Sequence, residues 1–265
     1  MKSVVVGSGG REHALAHVLG RDSDVTVTPG NPGIPNSTTQ SPLNIDADLF
    51  VIGPEAPLVD GLADQLRAQG KTVFGPGVDG AQLEGSKAWM KDLLVEANVP
   101  TAKHGTFTNE DEAIAFLSDM PLPYVIKTDG LAAGKGVIVT ESVNEAKDAI
   151  KNYLSGDAFG DAGKTVVIEE GLIGNEISIL AICDGTKAVP LAPAQDYKRL
   201  LNNDEGPNTG GMGAYSPIPS VSEDFVTQIM EEAVQPTLQT LITRGIDYRG
   251  VLYLSLIHIS EPTRP

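Results

Sequence analysis

Within residues 124–140, YVIKTDGLAAGKGVIVT, an apolar run of Tyr124, Val125 and Ile126 stops at Lys127, and a second apolar run begins at Val137. Between them Gly130, Gly134 and Gly136 fall within seven residues. Two strand-like runs joined by a glycine-rich turn predict a β-hairpin built to touch something. Glycine takes positive φ and lets backbone approach a ligand, so successive N–H groups can converge on an anion while Lys127 and Lys135 add charge. The ligand this suggests is a nucleotide polyphosphate. It is not held by a P-loop, since Gly130 and Gly134 enclose three residues rather than four and Gly136 follows Lys135 where Ser or Thr is needed. A hairpin tip that binds nothing is the competing reading, and neighbouring residues must decide.

From the N-terminus, Val4, Val5 and Val6 predict a buried strand, followed by Gly7-Ser8-Gly9-Gly10 and a helix over residues 11–20. Strand, glycine turn and helix make a nucleotide-type or anion-type βα turn. A dinucleotide fingerprint wants glycine where Glu12 stands, and an acidic end to the next strand where Thr28 runs into Pro29. That reading is disfavoured. His13 and His17, four apart, have no evident third metal ligand and read as a helix-surface pair. Residues 29–44 are too broken for a helix. Strand 48–52, the loop 53–58, helix 59–68 and strand 72–74 continue the βα pattern, which predicts a parallel sheet with ligands near the strand ends.

Residues 82–98 predict one or two helices, with Lys87 and Lys91 on one face; on spacing alone these are solvated surface lysines. Residues 101–107 look extended, and Asn109 and Ser142 cap helices reaching residues 117 and 154. Strands follow at 165–168, 175–183 and 187–191, so that 121–185 reads as a small α+β domain. A polar, glycine-rich connection fills 195–217, and a helix over 222–244, kinked at Pro236, leads to strand 250–253.

A polyphosphate would be bound against the charge of the whole chain, since Lys plus Arg total 19 against 35 Asp plus Glu, for a net −16. Such a surface repels nucleic-acid phosphates and anionic membranes, so any phosphate must be held locally. The single Cys183 excludes an intramolecular disulfide and reads as a small apolar strand residue. With no apolar run near 18 residues and no signal-peptide pattern after Met1, a soluble, cytoplasmic protein is expected.

In order along the chain stand VVVGSGGREHAL, VIGPEAPLVDG, AQLEGSK, VIKTDGLAAGKGV, FGDAG, VIEEGLIGNEIS and GPNTGGMGAYSP. That succession resembles the phosphoribosylamine–glycine ligase (glycinamide ribonucleotide synthetase) family, ATP-grasp enzymes of purine biosynthesis, over residues 1–253. The resemblance implies an α/β fold: an N-terminal parallel-sheet, Rossmann-like (pre-ATP-grasp) domain over 1–100, the start of the ATP-grasp part over 101–120, a small α+β lid domain over 121–185, and an incomplete large ATP-grasp domain over 186–253. It implies ATP-driven ligation of glycine to 5-phosphoribosylamine through a glycyl phosphate, with Mg²⁺ or Mn²⁺, by a monomer that acts on small molecules.

The resemblance also implies roles. Lys91 and Lys127 look like the lysines that reach the nucleotide phosphates, and Gly130, Gly134, Lys135 and Gly136 like the lid above them. Glu169, Glu170 and Leu172 look like the adenine hinge, with Glu176 on the ribose. Gly9, Gly10 and Arg11, Gly53 and Glu55, and Asn208, Thr209, Gly210, Gly211, Met212 and Gly213 look like the acceptor side. There Gly9-Gly10 and Arg11 would suit the 5-phosphate, and Asp196 and Lys198 would orient glycine or the amine. Lys127, Lys135, Asp196 and Lys198 are thus the expected catalytic group. Two other readings stay open: another ATP-grasp carboxylate ligase or carboxylase, and a nucleotide-binding module without turnover.

Two departures from the family stand out. Residues 28–48 are shorter than the family's helical connection and predict an extended strap. Residues 254–265, LSLIHISEPTRP, match nothing the family carries there and resemble translated sequencing-adapter sequence. A non-native tail is therefore expected, with the family's metal-ligating strand missing, no turnover by the chain alone, and an exposed apolar edge over 251–259.

Overall fold

The computed structural model describes residues 1–130, 136–156 and 164–258. They form two compact units, one of Met1–Ser86 with Asp184–Thr186 and Leu241–Gly250, the other of Lys87–Cys183, Lys187–Thr240 and the chain from Val251 on.

The first unit is built on β1 (Lys2–Gly7), α1 (Gly10–Leu19), β2 (Asp24–Pro29), β3 (Leu49–Ile52), α2 (Glu55–Val59), α3 (Leu62–Ala68), β4 (Thr72–Phe74) and α4 (Val78–Gly85). Its four strands are parallel in the order β2-β1-β3-β4. Strand β1 is central and covered on both faces, which is why three valines in a row are all buried. Val4 and Val6 pack with Phe50, Ile52 and Leu66, while Val5 packs on the other face with Val25, Val27 and Leu15 of α1. The crossover from β2 to β3 is the expected strap, with only a 3₁₀ turn at Pro42–Asn44. Thr28 Oγ1 donates to the Gln40 carbonyl at 2.6 Å, and Leu43, Ile45 and Ala47 pack on the Val4 face. Residues 53–58 are not the expected loop throughout: α2 starts at Glu55, because Pro57 falls in its first turn, where the missing N–H has no helical partner to lose.

The second unit begins with α5 (Lys87–Glu96), β5 (His104–Phe107), α6 (Glu110–Phe116), β6 (Tyr124–Thr128), β7 (Val137–Thr140), α7 (Val143–Leu154) and β8 (Val166–Glu170), and its first sheet is antiparallel in the order β5-β8-β6-β7. The hairpin is formed, with Lys127 opposite Val137 and the Thr128 N–H donating to Gly136 at 2.8 Å. Asn109 and Ser142 cap α6 and α7 through side-chain oxygens, as their sequence positions predict. Both helices cover one face of the sheet, where Ala113, Leu117, Ala146 and Ile150 meet Tyr124, Ile126, Val166 and Ile168. Strand alternation then puts Val125, Lys127, Val167 and Glu169 on the opposite face.

The rest comprises β9 (Asn175–Asp184), β10 (Ala188–Pro190), β11 (Gln195–Leu201), β12 (Glu205–Tyr215), α8 (Glu223–Ile229), α9 (Gln235–Thr243) and β13 (Arg249–His258), with a sheet ordered β10-β9-β13. Cys183 is buried in β9 as a small apolar residue. Two expectations are corrected here. The polar connection over 195–217 is largely an antiparallel ribbon of β11 and β12, pairing Gln195 with Tyr215 and stacking Tyr197 on Tyr215 with ring centroids 6.3 Å apart. Backbone pairing and the aromatic pair hold it as a ribbon despite its glycine and proline content. The helix break near Pro236 takes the form of a π turn, Met230–Val234, which makes room for a ring that would otherwise meet the carbonyl four residues earlier. Strand β13 does not stop at Tyr253: Leu254 and Leu256 pack against the cluster of Ile177, Ile179, Ile218 and Phe225.

Candidate functional site

On the sheet face away from α6 and α7, two lysines converge on one carboxylate. Lys127 of β6 lies two residues along the ladder from the Val125–Glu169 pair, and its Nζ stands 2.8 Å from Glu169 Oε1. Lys91, on α5, reaches Glu169 Oε2 at 3.1 Å and donates to Thr101 Oγ1 at 2.8 Å. Lys91 is 4 % exposed and Glu169 6 %, so the surface reading of Lys91 from its helical spacing is overturned. Long charged side chains are buried this deeply only when paired. Burial pushes the Lys91 ammonium below its ordinary pKa, with Glu169 opposing. Burial alone would raise the Glu169 carboxyl, but the charges of Lys127 and Lys91 outweigh it and hold it below the ordinary value. Lys127 meets Oε1 as an ion pair without hydrogen-bond alignment, which leaves that buried oxygen with no hydrogen-bond donor among the described residues.

The neighbouring backbone is partly committed. The Glu170 N–H donates to the Lys103 carbonyl at 3.0 Å, the Glu170 carboxylate accepts from the Lys103 N–H, and the Gly171 N–H donates to Pro123 at 2.7 Å. Leu172 is exposed, and its N–H has no protein partner among the described residues. At the root of the hairpin, Gly130 has φ +84°, and its carbonyl accepts from Lys87 Nζ at 2.7 Å. The Asp129 carboxylate accepts from the Ala88 N–H in the first turn of α5, tying the hairpin to the helix that carries Lys91. Gly136 closes the hairpin's first hydrogen bond, whereas Gly134 and Lys135 lie outside the described residues.

A second cluster gathers Glu176, Lys198 and Asp196. Lys198 Nζ pairs with Glu176 Oε1 and lies 3.9 Å from Asp196 Oδ2, and Ser255 of β13 also donates to Glu176. Burial lowers the Lys198 pKa, but Glu176 and Asp196 together leave it above the ordinary value; burial raises Glu176, and Lys198 and Ser255 bring it below. Residues expected on the ribose and on the amino acid are thus in direct contact. In the ribbon, Thr209 Oγ1 donates to the Lys198 carbonyl and accepts from Gly211 N–H, Gly213 pairs with Tyr197, and Met212 is exposed. Asn208 and Gly210 lie in β12 beside them.

In the first unit the β1–α1 turn holds its own anion. The Gly9 N–H donates to Glu12 Oε2 at 2.7 Å, Arg11 Nε donates to Glu12 Oε1 at 2.7 Å, and Arg11 Nη1 donates to Glu55 Oε1 at 3.0 Å. One guanidinium between two carboxylates leaves this cluster with a net charge of −1, and the Gly9 N–H and two of the three Arg11 guanidinium nitrogens are engaged by these carboxylates. Gly10 begins α1 in open space, and Gly53 N–H donates to Val6. His13 and His17 are exposed on α1. Among the described residues no three His, Cys, Asp or Glu side chains gather as a metal site, and no helix is long and apolar enough to cross a membrane. Glu12, Thr101 and Ser255 were missed from sequence. Only Glu12 gave a signal there, by standing where a dinucleotide turn has glycine.

Both units have relatives. Residues 1–84 match the N domain of phosphoribosylglycinamide synthetase, and residues 85–264 match its ATP-grasp (A) domain. A phosphoribosylamine–glycine ligase from Xanthomonas campestris is 47 % identical over 97 % of this chain, which spans 64 % of that relative's length. The crystal structure of a phosphoribosylamine–glycine ligase from Thermotoga maritima superposes with a TM-score of 0.84 at 34 % identity, covering 97 % of this chain and 65 % of that one. A biotin carboxylase from Campylobacter jejuni shares the fold at 16 % identity, with a TM-score of 0.69 and coverage of 97 % and 62 %. With family matches running through both units and the lysine–glutamate–lysine group set on an ATP-grasp sheet, the chain belongs to the phosphoribosylglycinamide synthetase family.

Proposed function

We propose that this chain carries the nucleotide- and acceptor-binding parts of an ATP-dependent phosphoribosylamine–glycine ligase, forming glycinamide ribonucleotide, ADP and phosphate by way of glycyl phosphate. The observation that carries the reading is the buried pairing of Lys91 and Lys127 on Glu169 beside the hairpin. Phosphoryl transfer demands charge neutralisation and alignment more than covalent help, and two lysines brought together on one buried carboxylate suit a triphosphate. Glu169 pairs with both lysines and aims them, and the Leu172 N–H, without a protein partner among the described residues, offers a donor that an adenine edge can use. Lys127, 26 % exposed on a flexible stem, is the one able to swing to a phosphate. Lys198, aligned between Glu176 and Asp196, would orient the glycine carboxylate or the amine.

No three His, Cys, Asp or Glu side chains gather as a metal site among the described residues, and no step is derived through a metal. A nucleotide-binding module without turnover is the second reading, and the experiment below separates the two. We place the protein in the cytoplasm, as a monomer acting on small molecules without nucleic-acid or membrane partners. The test is ADP release that depends on both glycine and 5-phosphoribosylamine, measured for this chain and for one extended by the family's C-terminal portion. Activity in the extended chain supports the ligase. ATP binding with no activity in either supports the module, and activity with other acceptors instead supports a different ATP-grasp ligase.

A further inference from the structure

Glu12 has no assigned role, yet the βα loops of the first unit are arranged around it. Glu12 is 3 % exposed although it sits in the first turn of a surface helix. Three glycines from two loops make room for it: a Cβ on Gly53 would stand 2.1 Å from its Oε1, one on Gly7 2.5 Å from its Cγ, and one on Gly9 3.1 Å from its Oε2. Burying a carboxylate is costly unless its oxygens are well satisfied, and here a backbone N–H and a guanidinium satisfy them.

We propose that Glu12 is a positioning residue for the acceptor side, fixing the plane of Arg11 so that one edge of its guanidinium is presented to the sugar phosphate. Arg11 Nε is taken by Glu12 and Nη1 by Glu55, while Nη2 has no protein partner among the described residues. Two of the three nitrogens being fixed, the third points in a defined direction at little further entropic cost on binding. The interaction is directional rather than a matter of net charge, because the cluster as a whole is negative. The inference rests on the reading of these loops as the acceptor side.

That distinction sets the test. Ribose 5-phosphate is titrated calorimetrically into the full chain, its Glu12→Gln variant, Arg11→Ala and the double variant, with melting temperatures measured alongside. Removing a negative charge next to a bound anion would tighten binding on Coulomb grounds alone. Positioning predicts the reverse, an affinity about tenfold weaker in Glu12→Gln, measured below the melting temperature of each variant, with the loss absent when Arg11 is already alanine. Unchanged or tighter binding by Glu12→Gln, or a full loss that persists without Arg11, overturns the inference. If Glu12→Gln does not fold, Gly53→Ala decides: its added Cβ meets the mobile end of Glu12 and shifts the carboxylate without removing it, so the same weakening is expected and unaltered affinity overturns the proposal. A wild-type chain that does not bind ribose 5-phosphate refutes the acceptor-side reading itself, and the inference with it.

Discussion

Replacing Glu169 by glutamine keeps the shape of the side chain and removes the only carboxylate that Lys91 touches among the described residues. Lys91 is 4 % exposed, and its remaining partner is the neutral Thr101 hydroxyl at 2.8 Å, so its ammonium would be buried without a counter-charge. Breaking a buried pair from one side costs about 3–5 kcal/mol. The cost has a ceiling, because Lys91 can release its proton, and burial already depresses its pKa. In the variant the unfolded chain binds more protons than the folded one across the gap between the two lysine pKa values. Stability should then rise with pH through the alkaline range, by at most about 1.4 kcal/mol per unit, up to the unfolded lysine value near pH 10.4. Urea unfolding followed by tryptophan fluorescence reads this in the right place, since Trp89 is the single tryptophan and lies on α5 two residues from Lys91. Adding Lys91→Met to Glu169→Gln should restore most of the loss and abolish the pH dependence. A Glu169→Gln variant destabilised by less than about 1 kcal/mol, or equally at pH 6 and pH 9, would refute the reasoning.

Other outcomes follow from the same contacts. Ser142→Ala removes the acceptor for the Glu145 N–H at the start of α7 and should cost about 1 kcal/mol, read in the same unfolding experiment. Glu12, Glu169 and Glu176 all have carboxyl pKa values held below the ordinary one, Glu12 by Arg11 and Gly9 against its burial. Their contribution is present above the unfolded glutamate value, about pH 4.3, and is lost as pH falls through the lower folded values; each glutamine variant should flatten the acid limb of the stability curve.

The parallel sheet, the hairpin and the capped helices were legible because each rests on local rules: runs of valine, glycine flanked by apolar strands, and Asn109 or Ser142 ahead of a helical pattern. Lys91 was not, since i, i+4 spacing on α5 cannot reveal that Glu169, 78 positions away in sequence, lies behind that face. The ribbon of β11 and β12 was hidden for a related reason. Its residues have little intrinsic strand preference, and its stability comes from pairing across the turn. Arg11 could be picked out as a loop cation, but its commitment to Glu12 and Glu55 depends on α1 and α2 starting side by side from adjacent parallel strands. Family motifs supplied the residues expected at a nucleotide, and the convergence of Lys91 and Lys127 on Glu169 became visible only in three dimensions.

Equilibrium binding of ATP, followed through Trp89 fluorescence in the wild-type chain and in Lys127→Met, tests the account at its centre. Lys127 is partly exposed, so the variant should fold. The account predicts that wild-type chain binds ATP more tightly than adenosine and that Lys127→Met loses that preference. Equal binding of ATP and adenosine by the wild type, or an undiminished preference in the variant, would contradict it.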